Sequence, residues 1–140
     1  MTQPDFNEIN RRVTAEFHAN AGRVRGPFEG TDILILTTTG AKSGQTRWNP
    51  LAYTRDADRY IIVASKAGLP SHPDWYYNLL RYPSVSIEVG TENVMVEASV
   101  AMGAERDRLF AQHAEQMPRF REYERSTTRT IPVVILTPKA

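Results

Sequence analysis

At 140 residues the chain is long enough to bury a core without disulfide or metal staples. Seventeen Lys and Arg against sixteen Asp and Glu leave it near neutrality, so no global field recruits nucleic acid, and any anion site must be local. The absence of cysteine excludes a disulfide framework, thiolate catalysis and zinc-finger chemistry together.

The start, "MTQPDFNEINRR", lacks the apolar stretch of a signal peptide. No apolar run approaches the ~20 residues of a membrane span. A soluble cytoplasmic protein is expected. From Pro4 to about Asn20, Phe6, Ile9, Val13 and Phe17 recur at helical spacing and form a narrow apolar stripe. "NAGRVRGPFEG" breaks that helix with three glycines and a proline. "DILILTTT" is continuously apolar and β-branched, which suits a strand buried on both faces. "RWNPLAYT" and "RYIIVASK" follow as strands joined by the turn "RDAD" around Asp56, so this part reads as an antiparallel meander.

In "GLPSHPDWYYNLLRYP", Pro73, Asp74 and the stop at Pro83 predict a short helix over 73–81. "SVSIEVG" and "VMVEASV" alternate as strands around "GTEN"; residues 103–116 return to helical periodicity, and "IPVVILTP" closes the chain as a buried strand. The sum is about six strands and three helices. Strands joined by short turns must close on themselves or leave long edges exposed. The fold class is therefore α+β: a mainly antiparallel small barrel with peripheral helices, as one domain over 1–140, with residues 1–30 as helix and loop and 31–140 as the barrel core.

The three histidines, His18, His72 and His113, are too far apart for a metal-ligand spacing, and no P-loop, GxSxG or GxGxxG occurs. Any chemistry then belongs to a cofactor. In "TTTGAKSGQTRWNPL", Gly40 and Gly44 permit close approach of backbone N–H groups to a ligand, Lys42 stands at the tip and Arg47 heads the next strand. Alternation puts Arg47, Asn49 and Leu51 on one face and Trp48 and Pro50 on the other. Ser65 and Lys66 end the strand expected beside it, so three cations can converge on phosphate or carboxylate groups; the same residues read equally as solvated turn charges. On the helix after Pro73, Trp75, Asn78 and Leu79 share one side, Tyr76 is offset and Tyr77 turned away; Tyr77 and Leu79 are expected to pack, while an indole and an amide near a basic pocket can flank a conjugated ligand. Phe120 and Tyr123, three apart in "MPRFREYERSTTRTIP", would lie side by side on one helical turn of a charged surface helix.

Taken in order, "ILTTTGAKSGQTRWNPL", "YIIVASKAGLPSHPDWYYNL", "YPSVSIEV" and "TRTIPVVIL" resemble the deazaflavin-dependent nitroreductases and quinone reductases, from Thr31 to Pro138. The resemblance implies a split β-barrel related to FMN-binding barrels, and coenzyme F420 as cofactor. It implies that Ala41, Lys42, Ser43 and Arg47 hold the coenzyme's anionic tail. Trp48, Asn49, Pro50, Leu51 and Ala52, with Val63, Ala64, Ser65 and Lys66, match positions lining its ring and linker; Asp74, Trp75, Tyr76, Tyr77 and Asn78 match the helix closing the pocket. Hydride transfer to an electrophilic acceptor follows, a quinone, a nitro compound or an α,β-unsaturated carbonyl, with Ser65 and Tyr123 catalytic and Phe120 beside Tyr123 on the substrate side. Met117, Phe120 and Ser126 stand where relatives that reduce bulky nitroimidazoles carry more aromatics. The N-terminal stripe is a candidate cap on the substrate cleft or a peripheral membrane contact, and a monomer is favoured over a dimer. The rival readings are an FMN-dependent enzyme on the same barrel and a non-catalytic F420 carrier.

Overall fold

The computed structural model describes residues 6–22 and 32–139. Helix α1 spans Phe6–Ala19. The expected helix start at Pro4, the Phe6 side chain and the Gly/Pro break over 23–30 lie outside the described residues. Val13 and the buried Phe17 pack on Ile33 and Ile35, so two members of the apolar stripe are spent on the barrel wall, and Ile9 stays exposed. His18 Nε2 meets both carboxylate oxygens of Glu88 at 3.0 Å, which pins the end of the helix to the sheet.

Seven strands follow: β1 (Ile33–Thr39), β2 (Thr46–Ala52), β3 (Thr54–Asp56), β4 (Arg59–Val63), β5 (Ser84–Val89), β6 (Glu92–Val100) and β7 (Val133–Pro138). Between them lie a 3-10 turn (Lys66–Gly68) and helices α2 (Asp74–Arg81), α3 (Gly103–Gln116) and α4 (Arg119–Arg125). The sheet order is β2-β1-β5-β6-β7-β4-β3, and every neighbouring pair is antiparallel. Its two outermost strands, β2 and β3, are separated in sequence by Tyr53 alone. One residue can join opposite edges of a sheet only if the sheet curls back on itself, so the order itself requires a barrel.

Two counts differ from the sequence expectation. "RWNPLAYT" reads as one strand, but its halves pair with different partners, β2 with β1 and β3 with β4, which raises the strands from about six to seven. Residues 119–125 form the fourth helix, α4. The simple meander also gives way: β1 lies between β2 and β5, and the tight turn between β3 and β4 falls one residue later, on Ala57 with φ +56°.

Alternation sorts the core. Leu34, Leu36, Tyr60, Ile62, Ile87 and Leu136 point into the barrel, where Trp75 and Leu79 of α2 close one end. Ile61, Val63 and Ile135 point outward beneath Leu109, Phe110 and Phe120 of α3 and α4. His113 of α3 is wholly buried there, its Nδ1 3.0 Å from Thr54 Oγ1. Burial, reinforced by the nearby Arg119 charge, pushes its pKa down to about 4, so it sits neutral in the core.

Candidate active site

The ladder between β3 and β4 ends at Thr54 opposite Ile61. Continued in register it would set Ala52 opposite Val63 and Pro50 opposite Ser65; instead β2 peels away and pairs with β1 alone. The ladder is thereby split between residues 48–52 and 63–66, the two stretches expected to line the ring and linker, which do not pair with each other. Pro50 is tolerated because β2 is an edge strand at this point.

On β2, Arg47, Asn49 and Leu51 lie opposite Thr38, Leu36 and Leu34 and share their inward face. Trp48 and Pro50 lie opposite Thr37 and Ile35 and take the outer face toward α1, with Trp48 48% exposed. Ala52 and Val63 are buried in the outer core, while Ala64 faces the barrel interior. The β2 side chains on the inward face are therefore those of Arg47, Asn49 and Leu51, while Trp48 and Pro50 turn outward.

The β1–β2 turn is built on its own contacts. Gly40 N donates to Gln45 O at 2.7 Å, Gly44 N to Gly40 O at 2.9 Å, and Gln45 N to Ser43 Oγ at 3.1 Å. Gly44 takes φ +71°, and Gly40 leaves the space into which Ser43 Oγ folds. Ala41 N donates to Asn78 Oδ1 at 2.9 Å. These four N–H groups are engaged inside the protein, while Lys42 stands at the exposed tip and Arg47, also exposed, at the start of β2.

Asn78 also donates from Nδ2 to Thr38 Oγ1 at 3.1 Å, so α2 is tied directly to the turn. Trp75, Asn78 and Leu79 are buried and Tyr76 is half-buried, as the helical spacing predicts. Tyr77 is 47% exposed rather than packed in the core. Asp74 starts α2 on its exposed side. Lys66 Nζ donates to Ser71 Oγ at 3.2 Å. Among the described residues, Lys42, Arg47 and Lys66 form no ion pair with a carboxylate, whereas Arg59, Arg106, Arg108, Arg121 and Lys139 all do.

Ser65 is buried, and the turn after it packs against α4. A Cβ on Gly68 would lie 3.0 Å from Tyr123 O and 2.9 Å from Ser126 Cβ. The turn that follows Ser65 therefore lies against the backbone of the Tyr123 segment. Phe120 is buried between His113 and Tyr123, with ring centroids 4.4 and 5.3 Å away, and supports Tyr123 from within the core.

Two residues of this region escape sequence reasoning. Arg129 reaches the 64–72 segment from beyond α4, and His72 sits 4.9 Å from the Tyr76 ring. Burial, then the Arg129 charge, lowers the His72 pKa. The only cue in the sequence is an arginine just ahead of the last strand.

The profile of the F420H(2)-dependent quinone reductase family matches residues 9–138. The F420H(2)-dependent quinone reductase Rv1261c of Mycobacterium tuberculosis is 44% identical over 134 residues, covering 93% of this chain and 90% of its own. Among solved structures, the F420-H2 dependent reductase FDR-A is 40% identical with a TM-score of 0.69, over 75% of this chain and 93% of that one. A structure described as a domain-swapped dimer is 34% identical with a TM-score of 0.72, over 92% and 97%. The profile match spans the β1–β2 turn, residues 48–66, α2 and α4, and the chain belongs to the F420H(2)-dependent quinone reductase family.

Proposed function

We propose that this protein binds reduced coenzyme F420 in the split and catalyses hydride transfer from it to a quinone. The observation that carries the reading is the departure of β2 from the β3–β4 ladder, which leaves residues 48–52 and 63–66 unpaired with each other. The residues present fit the coenzyme: Asn49 Oδ1 is buried with no hydrogen-bond partner among the described residues, an acceptor suited to a ring N–H. Lys42, Arg47 and Lys66, which form no ion pair with a carboxylate among the described residues, suit an anionic phosphate and glutamyl tail.

Bound in its reduced form, F420 supplies the hydride. The chain supplies position and dryness, since hydride transfer gains from a fixed approach and an excluded solvent more than from a protein nucleophile. Lys42 and Arg47 hold the tail electrostatically, with Lys66 adding charge from the opposite side. Ala41 and Ser43 keep the turn in shape, and Asn78 locks it to α2. The backbone of residues 48–52 and 63–66 borders the ring, and the Trp75–Tyr77 segment closes the end of the site. Ser65 provides a hydroxyl beside the reacting region. Tyr123, backed by Phe120, orients the acceptor carbonyl and gives it a proton through its phenol.

Parallel titrations of the purified protein with F420 and FMN test the reading. Preference for F420 and quinone-dependent oxidation of its reduced form support it. Preference for FMN moves the protein to flavin chemistry, and tight F420 binding without oxidation by quinones, nitro compounds or enones makes it a carrier.

A further inference from the structure

Arg129 lies between α4 and β7, yet its partners are some 60 residues away in sequence. Its Nε donates to Leu69 O at 3.0 Å, Nη1 to Ala64 O at 3.2 Å and Nη2 to Ser65 O at 2.7 Å. Nη1 also lies 2.8 Å from His72 Nδ1. The three carbonyls bracket Lys66, Ala67 and Gly68, which take φ of +47°, +53° and +79° in succession. Two of those residues carry a Cβ, so the turn is strained and persists only where its surroundings hold it. A planar guanidinium with five N–H donors can serve several carbonyls at once; an ammonium cannot reproduce that fork. On its other side the turn touches α4 through Gly68 and Tyr123 O.

We propose that Arg129 is a positioning residue that clamps the 64–72 segment, setting Ser65 and Lys66 toward the split at a fixed spacing from Tyr123. This rests on the reductase reading. The clamp also has a reporter independent of catalysis. Arginine has no acceptor, so His72 Nδ1 must accept the bond, and the neutral His72 ring carries its proton on Nε2. Beside it stand Arg129, Tyr76 and Tyr77 as the charged or titratable neighbours.

The test uses the full chain as Arg129→Met and Arg129→Lys, with folding followed by thermal melting. Three readouts are taken: His72 ring nitrogen shifts by NMR, the F420 dissociation constant, and kcat and KM with menadione. In the unaltered protein His72 shows the Nε2–H tautomer. In Arg129→Met it mixes tautomers and titrates closer to its ordinary pKa of 6.5, while F420 affinity falls roughly tenfold to a hundredfold. Arg129→Lys keeps the charge without the fork and recovers part of both signals, and added guanidinium ion restores part of them in the methionine variant. A folded methionine variant with the wild-type His72 signature, or with unchanged F420 affinity and kcat, overturns the proposal. Should that variant not fold, the same readouts on Arg129→Lys decide it. Failure of the unaltered protein to bind F420 overturns the reductase reading and the clamp's role toward it together; normal binding by unaltered and variant proteins alike overturns the clamp alone.

Discussion

Asn78 on α2 holds Ala41 of the β1–β2 turn: its Oδ1 accepts the Ala41 N–H at 2.9 Å while its Nδ2 donates to Thr38 Oγ1 at 3.1 Å. One buried amide therefore sets the distance between the cationic turn and the helix that ends the site. Asn78→Leu should cost about 1–3 kcal/mol of stability, because a part-buried N–H and a buried hydroxyl lose their partner. Urea unfolding measures the loss, and F420 titration should show weakened binding in the same variant. Wild-type values for both would remove Asn78 from the scaffold of the site.

The cations should act on affinity rather than on turnover. Lys42→Ala, Arg47→Ala and Lys66→Ala are each expected to weaken F420 binding roughly tenfold, the order of one charge-assisted contact. Binding to the unaltered protein should also weaken as salt rises, less steeply in each variant, because charges at an open site are screened. A flat salt dependence would place the tail elsewhere.

Tyr123→Phe keeps the ring on Phe120 and removes only the hydroxyl. Turnover with menadione should fall roughly a hundredfold, the low end for loss of a general acid, with F420 affinity unchanged. Equal losses in affinity and turnover would mean that the phenol serves the coenzyme instead.

His113 makes stability depend on pH. Its pKa is about 4 in the fold against 6.5 for an ordinary histidine, with burial the first cause. Between those values the unfolded chain takes up a proton that the folded one refuses, so stability falls as pH drops from 6.5 toward 4 and is intact above 6.5. The separation corresponds to about 3 kcal/mol. His72, lowered mainly by burial, adds a change of the same sign, so the comparison is between the unaltered protein and His113→Gln, whose stability should change less between pH 7 and 4.5. Asp56 acts lower down: held at about 2 by Arg108 and then Arg59, it contributes stability above its usual 3.8 that is lost as pH falls toward 2. Parallel pH profiles for the two proteins would contradict the assignment.

Most of the barrel is legible in the chain because its period-two strands and short turns are local signals. The α2 face is legible for the same reason: helical spacing alone puts Trp75, Asn78 and Leu79 together. The break at Tyr53 is not, because nothing in "RWNPLAYT" says that its halves pair with strands on opposite sides of the barrel; that is fixed by closure of the whole sheet. Trp48 stands between Arg47 and Asn49 in sequence, yet the pleat turns it outward toward α1 while they face inward. Arg129 is hidden for a different reason: in "STTRTIP" it looks like a loop charge, and its meaning lies in carbonyls 60 to 65 residues earlier. Local pattern reveals the walls of the site, and long-range hydrogen bonds reveal what holds them.

The most direct measurement is rapid mixing of the protein loaded with reduced F420 against menadione, following oxidation of the coenzyme by absorbance. Oxidation that requires both protein and quinone, saturates with quinone and slows in Tyr123→Phe is the predicted result. Bound reduced F420 that survives saturating quinone, other acceptors included, would contradict hydride transfer at this split.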